Sequence, residues 1–566
     1  MHDLVIRAGT VVDGTGKERF EGDIAVEDGR IVALGKVSES GRREVDARGR
    51  LVSPGWVDIH THYDGQVTWD PILAPSSWHG VTTIVMGNCG VGFAPVREGQ
   101  QDFLIELMEG VEDIPGTALH EGLTWNWESF PEYLNALEEM PRTIDVATQV
   151  PHCSVRAYVL GDRAHENVVT DEEIAEMQRI TREGLEAGAF GFTTSRTVVH
   201  RSVHGHVPGT WSEPRELLGI GQALKVPGGA MFEMASDTLG RDPDRAWMEQ
   251  LAKETGCGVT YALAQEPRYP EAYRDSLDFA RQSTAAGGRI VPQIPCRPTG
   301  LLFGLQSSFH PFVGHPTYGK LRKLPLAERA AAISDPPMRA RILSEETMIK
   351  DPVTRALLMN FSQIFPLGDP ADYEPTEEKS LAAQARREGC RPEEILLDGM
   401  VANGGRDFYF APLLNYAGYS HDPLREMMLH PNSVVGLSDG GAHCGLVCDA
   451  GMPTYLLTHW ARDRRRGEQI PLELAVHLQT GRTASVYGMH DRGTLEIGRK
   501  ADINIIDFDR LRTHAPEMVF DLPAGGRRLV QRVDGYEATI VSGEVTMEHG
   551  EPTGARPGKL VRADRR

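Results

Sequence analysis

Pro54-Gly55-Trp56-Val57-Asp58-Ile59-His60-Thr61-His62-Tyr63-Asp64 leaves a Pro-Gly turn as an apolar run and ends in two histidines one residue apart. Extended chain alternates its side chains, so residues i and i+2 share a face. His60 and His62 therefore project into one space, as two ligands of one metal need. Neutral imidazole is the commonest metal donor, and such a pair forms one edge of a coordination shell. An isolated His-x-His is equally compatible with two ordinary core or surface histidines, so its meaning rests on the rest of the chain.

Outward from this stretch, from about residue 54 to 485, apolar strand-like runs alternate with amphipathic helix-like ones. Thr82 to Met86, Asp145 to Val150, Gly188 to Thr194, Val259 to Ala264 and Ile290 to Ile294 read as strands. Asp171 to Ala187, Trp247 to Thr255 and Ala272 to Ala286 read as helices between them. Alternation of this kind argues for a parallel sheet with helices outside it. Roughly eight units fit an enlarged (β/α)8 TIM-like barrel, with a doubly wound open sheet as the competing arrangement. Residues 296–394 are proline-rich and irregular, and read as an insertion over the face that carries substrate-enclosing loops.

Residues 1–53 and 486–555 contain short runs rich in β-branched residues, among them Asp23 to Val26, Arg30 to Leu34, Ile503 to Ile506 and Ala538 to Val541. Neither end alone offers enough strands for a core, so the two are expected to pair into one small β-sandwich domain. Residues 556–566 read as a polar, frayed tail. The formal charge of -21 over 566 residues excludes nucleic acid and anionic membrane as natural partners. Seven scattered cysteines form no disulfide framework and suit a reducing compartment. With no apolar run near the ~20 residues that span a bilayer and no secretory pattern at the start, a cytoplasmic location is expected. The partner expected is a small molecule, and a homo-oligomer is left open.

In a parallel barrel, reactive groups stand at the C-terminal ends of the strands. Ile84-Val85-Met86-Gly87-Asn88-Cys89-Gly90 ends in a cysteine amid glycines that leave it little bulk to pack against. A thiolate there can bind divalent metal, although a cysteine after a strand is more often packing. Ser433 to His443 is another strand, ending in Asp439 amid glycines. Such an aspartate can cap a turn, or take a proton from water that attacks a carbonyl.

With these residues in hand, the chain resembles the amidohydrolase superfamily, and within it the D-aminoacylase (N-acyl-D-amino-acid deacylase) branch. The likeness runs nearly end to end, through Ile6 to Gly14, Val52 to Asp64, His79 to Gly90, Pro151 to Arg156, Asp439 and Asp491 to Asp502. It implies the barrel with its β-sandwich, a site of one or two zinc ions or another divalent metal at His60, His62, Cys89 and Asp439, and Asp439 as general acid/base. It implies a metal-dependent hydrolase of a non-peptide C–N bond, taking a linear N-acyl amide. A cyclic amide or imide hydrolase of the hydantoinase kind and a catalytically silent binding relative are the alternatives.

The chain departs from that family at three places. Two later strands that carry metal-binding histidines in the family place Met234 and Gln265 here, and the lysine expected two residues on is Pro267. Thioether and carboxamide are poor zinc donors. Cys89 or Glu233 would then complete a single-metal site, or the His-rich segment from Thr193 to Thr210 would contribute, with His204 and His206 favoured as pocket lining. Candidate substrate contacts are His152, Arg196, His200, Arg201, Glu233 and Gln265.

Overall fold

A computed structural model describes residues 1–237 and 244–565. Its architecture is mixed α/β. Strand Trp56–Asp58 pairs in parallel with Val81–Met86, which pairs in parallel with Asp145–Thr148. That segment continues as Val150–Pro151 beside Gly191–Arg196, followed by Met231–Ser236 and Gly258–Tyr261, all parallel. A parallel bridge from Ala262 to Gln293 leads to Gln293–Ile294, which pairs with Val434–Val435. A last parallel bridge, Thr61 to Gly440, returns the succession to the segment that began it.

Helices fill the crossovers. Asp171–Glu186 opens on a reciprocal cap in which Thr170 accepts from the Glu173 amide and Glu173 accepts from the Thr170 amide, and its apolar stripe of Ile174, Met177, Ile180 and Leu185 is buried. Arg245–Thr255 and Ala272–Ala285 begin and end within two residues of the periodicity read from sequence. Among the described residues no helix is long and apolar enough to cross a membrane.

The two ends of the chain share one sheet of nine strands. Its joint is Leu51–Pro54 running antiparallel to Ile503–Ile506, with His2–Val11 on one side and Tyr536–Val541 on the other. Val52, Ile503, Ile505 and Ile540 bury the shared face. The irregular insertion proves to be largely helical. Pro316, Pro336, Pro352 and Pro392 each occupy the first position of a helix. Proline costs nothing there, because its missing N–H would be unpaired anyway. These helices close an apolar core of their own around Phe303, Phe312, Tyr318, Leu396 and Leu397. Nor do residues 558–563 fray: Gly558 and Val561 donate to Arg142 and Val146, and Ala563 donates to Gly188. Their backbone finds partners beside the parallel strands that their polar side chains do not advertise.

One buried ion cluster ties the parallel strand Asp145–Thr148 to the closing segment. Asp145, 2% exposed, accepts from Arg492 at 2.6 Å and from Lys500 at 3.0 Å, and its other oxygen accepts from the Lys559 amide at 2.8 Å. Removing one partner of a buried pair strands the other charges. Asp145→Ala is therefore expected to cost about 3–5 kcal/mol in denaturant unfolding. A loss under about 1 kcal/mol would show that the cluster is solvated.

Candidate metal centre

The strand Trp56–Asp58 ends before the histidines, but extended pairing continues past it. Thr61 donates its amide to Val85, Asp439 donates to the His60 carbonyl at 3.2 Å, and His62 donates to the Gly440 carbonyl at 2.8 Å. Thr61 turns its hydroxyl toward Val85, so the flanking imidazoles fall on the opposite side. Asp58 below them is buried and accepts from the Ser438 hydroxyl and the His60 amide. The segments that carry the two histidines and Asp439 are thereby zipped together through backbone.

The Nδ1 side of each histidine faces a side-chain oxygen. His60 Nδ1 donates to Gln293 Oε1 at 3.0 Å, and His62 Nδ1 faces Glu112 Oε1 at 3.2 Å. Both Nε2 atoms then face Asp439 Oδ1, at 3.5 and 3.8 Å, and Cys89 Sγ lies 3.4 Å from His60 Nε2. The ligand atoms of His60, His62 and Cys89 all lie within 4.8 Å of one another. Donors held about 2.0–2.3 Å from a tetrahedral zinc stand about 3.3–3.6 Å apart, so these separations suit one divalent cation.

Cys89 and Asp439 both sit in left-handed backbone, at φ 57° and 48°. Side chains in that region carry strain of about 1–3 kcal/mol and persist where the surroundings hold them. Asn88 provides part of that hold, donating to Thr61 and Val85. Gly90 is required for close approach: at φ +75°, a Cβ would fall 2.7 Å from the Ser195 amide nitrogen.

Carboxylates crowd the site without cationic side chains to match. Glu112, Glu233, Asp439 and Asp64 have no lysine or arginine ion-pair partner among the described residues. Glu233 Oε2 accepts from the Cys89 amide at 2.8 Å, but its Oε1 and both Glu112 oxygens find no donor. Burial, together with the neighbouring acids, pushes Glu233 and Asp439 up to about 8 and Glu112 well above the usual carboxylate range, and burial alone pushes Asp64 up to about 7. Burial drives His60 down to about 4 and His62 well below its ordinary value, and it lifts the Cys89 thiol. A divalent cation is the counter-charge this donor set fits.

The structure brings His60, His62, Cys89, Asp439 and Glu233 together, with His200 beside them. His200 Nδ1 bonds Ser195 Oγ at 2.9 Å, and burial, with charges on His443 and His60, drives its ring down to about 3. It does not bring the others. His152 is locked between Thr194 at 2.8 Å and Glu216 at 3.0 Å, where Glu216 also holds Arg156. Arg196 is clamped on Asp244 by two bonds of 2.9 Å. Arg201 is exposed in a small hairpin beside His206, and His204 pairs with Glu106. Gln265 spends its carboxamide on Pro270 and Ala417.

Met234 does not stand in the ligand shell. Glu233, its neighbour on Met231–Ser236, reaches the Cys89 amide and His60, while Met234 packs among the outer core. Alternation along the strand decides this. Glu112 and His443 went unassigned in the sequence. Glu112 lies in register with Leu104 and Met108 on the buried stripe of Gln101–Glu112, and an acid on an apolar stripe at a helix C-terminus was the available signal.

A family model described as Amidohydrolase family matches residues 43–547. An uncharacterized protein of Mycobacterium tuberculosis is 29% identical over 97% of this chain and 92% of its own length. N-acyl-D-aspartate deacylase of Alcaligenes xylosoxydans xylosoxydans is 27% identical over 99% of this chain and 95% of its own. The crystal structure of N-acyl-D-glutamate deacylase from Bordetella bronchiseptica, complexed with zinc and a phosphonate mimic of the tetrahedral intermediate, superposes with a TM-score of 0.63. That structure is 24% identical, with 99% of this chain and all of that one covered.

Met234→Leu conserves volume on the helix-facing side, so it should cost less than about 1.5 kcal/mol and leave the zinc content of purified protein unchanged. Loss of zinc in that variant would return the thioether to the shell.

Proposed function

The chain belongs to the amidohydrolase family, and from that premise we propose that it is a zinc-dependent hydrolase of a linear N-acyl amide. The barrel is part of the same reading: the parallel pairings that return to their start support a (β/α)8 ring, with the shared terminal sheet as its β-sandwich domain. The observation that carries the reading is convergence. Gln293 and Glu112 occupy the Nδ1 sides of His60 and His62, so both Nε2 atoms are turned toward Asp439 Oδ1 beside Cys89 Sγ.

When bound at His60, His62, Asp439 and Cys89, zinc would acidify water and polarise a carbonyl. Asp439 keeps 17% of its side chain exposed where the two imidazoles keep 1%, so it is the donor open to substrate. It accepts the proton of the attacking water and returns it to the leaving nitrogen. Gln293 holds the His60 imidazole in one tautomer, the outer-shell role that fixes ring orientation, and Glu112 stands on the Nδ1 side of His62. Glu233 holds the Cys89 turn through its amide. The substrate side is not anchored by Arg196 or Arg201, since the first is consumed by Asp244 and the second lies outside on the hairpin.

Zinc-loaded protein should hydrolyse members of a panel of N-acyl-D-amino acids and neutral N-acyl amides. Asp439→Asn should lower kcat by about 10²–10⁴ while elemental analysis still finds zinc. Full turnover in that variant would remove Asp439 from its role, and a wild-type protein that takes up no divalent metal would sink the reading.

A further inference from the structure

The charges around the candidate metal centre restrict what it can take in. Glu112, Glu233 and Asp64 are buried, and no lysine or arginine among the described residues pairs with them. A divalent cation held by the Cys89 thiolate and the Asp439 carboxylate sets two positive charges against two negative ones. The other three acids add negative charge or none. That balance leaves no net positive charge to face a substrate.

Cations on the surrounding segments are engaged elsewhere. Arg196 is held by Asp244, and Arg528 by Asp521 and the Ala74 carbonyl. Arg297, 1% exposed, donates to Asp449 and the Cys448 carbonyl. Arg527 donates to the Gln306 carbonyl and to Ser308 Oγ. Drawing one of them toward a substrate carboxylate would strand the group it now serves. At an effective dielectric near 20, one unpaired negative charge about 6 Å away weakens binding of a carboxylate about 10²-fold.

Beside the site the chain offers apolar surface instead. The hairpin of Arg201–Ser202 and Gly205–His206 follows the C-terminal end of the strand Gly191–Arg196. It lies against the helix that ends on Glu112: His204 pairs with Glu106, and a Cβ at Gly110 would fall 2.7 Å from Ser202 Cα. In and beside this hairpin, Val198, Val199, Val203 and Trp211 stand 48%, 73%, 83% and 51% exposed. Apolar side chains grouped in the open beside a polar site are surface for an apolar ligand to cover.

We propose, on the reading of the site given above, that the substrate is the N-acyl derivative of a hydrocarbon amine, without a carboxylate, its apolar part lying against Val198, Val199 and Val203. Hydrolysis adds one water across the acyl C–N bond and releases a carboxylic acid and that amine. Charge rejects the acidic analogue, and the hairpin accepts the neutral one.

Matched pairs test this with the zinc-loaded full chain. The N-acetyl forms of 2-phenylethylamine, 3-methylbutylamine and tryptamine differ by a single carboxylate from those of phenylalanine, leucine and tryptophan, assayed as both enantiomers. In each pair that is hydrolysed, kcat/KM of the uncharged member should be about 10² higher. A ratio under about tenfold overturns the substrate class and leaves the proposed function standing, whereas hydrolysis in no pair overturns both. Calorimetry on zinc-loaded Asp439→Asn reads binding without turnover: the uncharged member should bind about tenfold tighter or more, and tighter binding of the acid overturns the assignment. Val199→Lys, which sets a cation on the hairpin, should narrow the ratio about threefold or more; an unchanged ratio removes the hairpin from the substrate surface. Arg241 falls outside the described residues. Arg241→Ala should leave each ratio unchanged, and a selective loss of acid turnover in it would overturn the exclusion of carboxylates.

Discussion

The site is governed by a shortage of positive charge. Glu112, Glu233, Asp439 and Asp64 converge with a thiol on two neutral imidazoles, and no arginine or lysine among the described residues reaches any of the four acids. Elsewhere this chain does not tolerate such a deficit. Buried Glu216 is met by Arg156, buried Glu374 by Arg464, and buried Asp145 by Arg492 and Lys500. Water cannot screen charges at this depth, so the carboxylates either hold protons or meet a cation. The shifts point the same way: acids pushed up and imidazoles held neutral, a set in which a divalent ion would draw the carboxylates back to their charged form and leave the imidazoles neutral.

The scaffold's part is to keep those donors from relaxing apart when empty. Backbone bonds zip the segment 59–62 to the segment 439–440, and the Cys89 turn is pinned from Asn88 and Glu233. Left-handed residues at Cys89, Asp439 and His443 concentrate strain at the points where side chains must turn inward. Strain of that kind survives only where neighbouring bonds over-determine it. The helical insertion adds its share from outside: Ser308 donates its amide to Gly445 and its hydroxyl to Asp113, fastening the segment on which Glu112 ends.

Much of this was legible in the residues. His60, His62, Cys89 and Asp439 stand at the ends of apolar runs, and a parallel arrangement gathers such ends. The helices Asp171–Glu186, Arg245–Thr255 and Ala272–Ala285 announce themselves by periodicity and caps. What misled was proline. Pro316, Pro336 and Pro392, which read as loop markers in residues 296–394, instead open helices, because a first-turn proline and a loop proline look alike without their neighbours. Arg196, Arg201, His204 and His206 looked functional from proximity along the chain, but a hairpin carries three of them outward and Asp244 captures the fourth. Glu112 was invisible for the opposite reason: it enters from a helix end that no strand-end search visits.

The comparison of Met234 with Glu233 shows why the lost imidazoles need not mean a weaker site. Aligning by glycines places a methionine where a ligand is expected, yet a one-residue difference on a strand exchanges the inner and outer faces. The inner residue is a carboxylate, and its reach to the Cys89 amide turns a would-be ligand position into a brace for one. Glu112 and His443 are held by bonds between a helix end and a loop, outside the strand register, so substitutions on the strands leave them untouched. A parallel arrangement that brings strand ends together fixes the place where their side chains meet more tightly than it fixes which residue supplies each group.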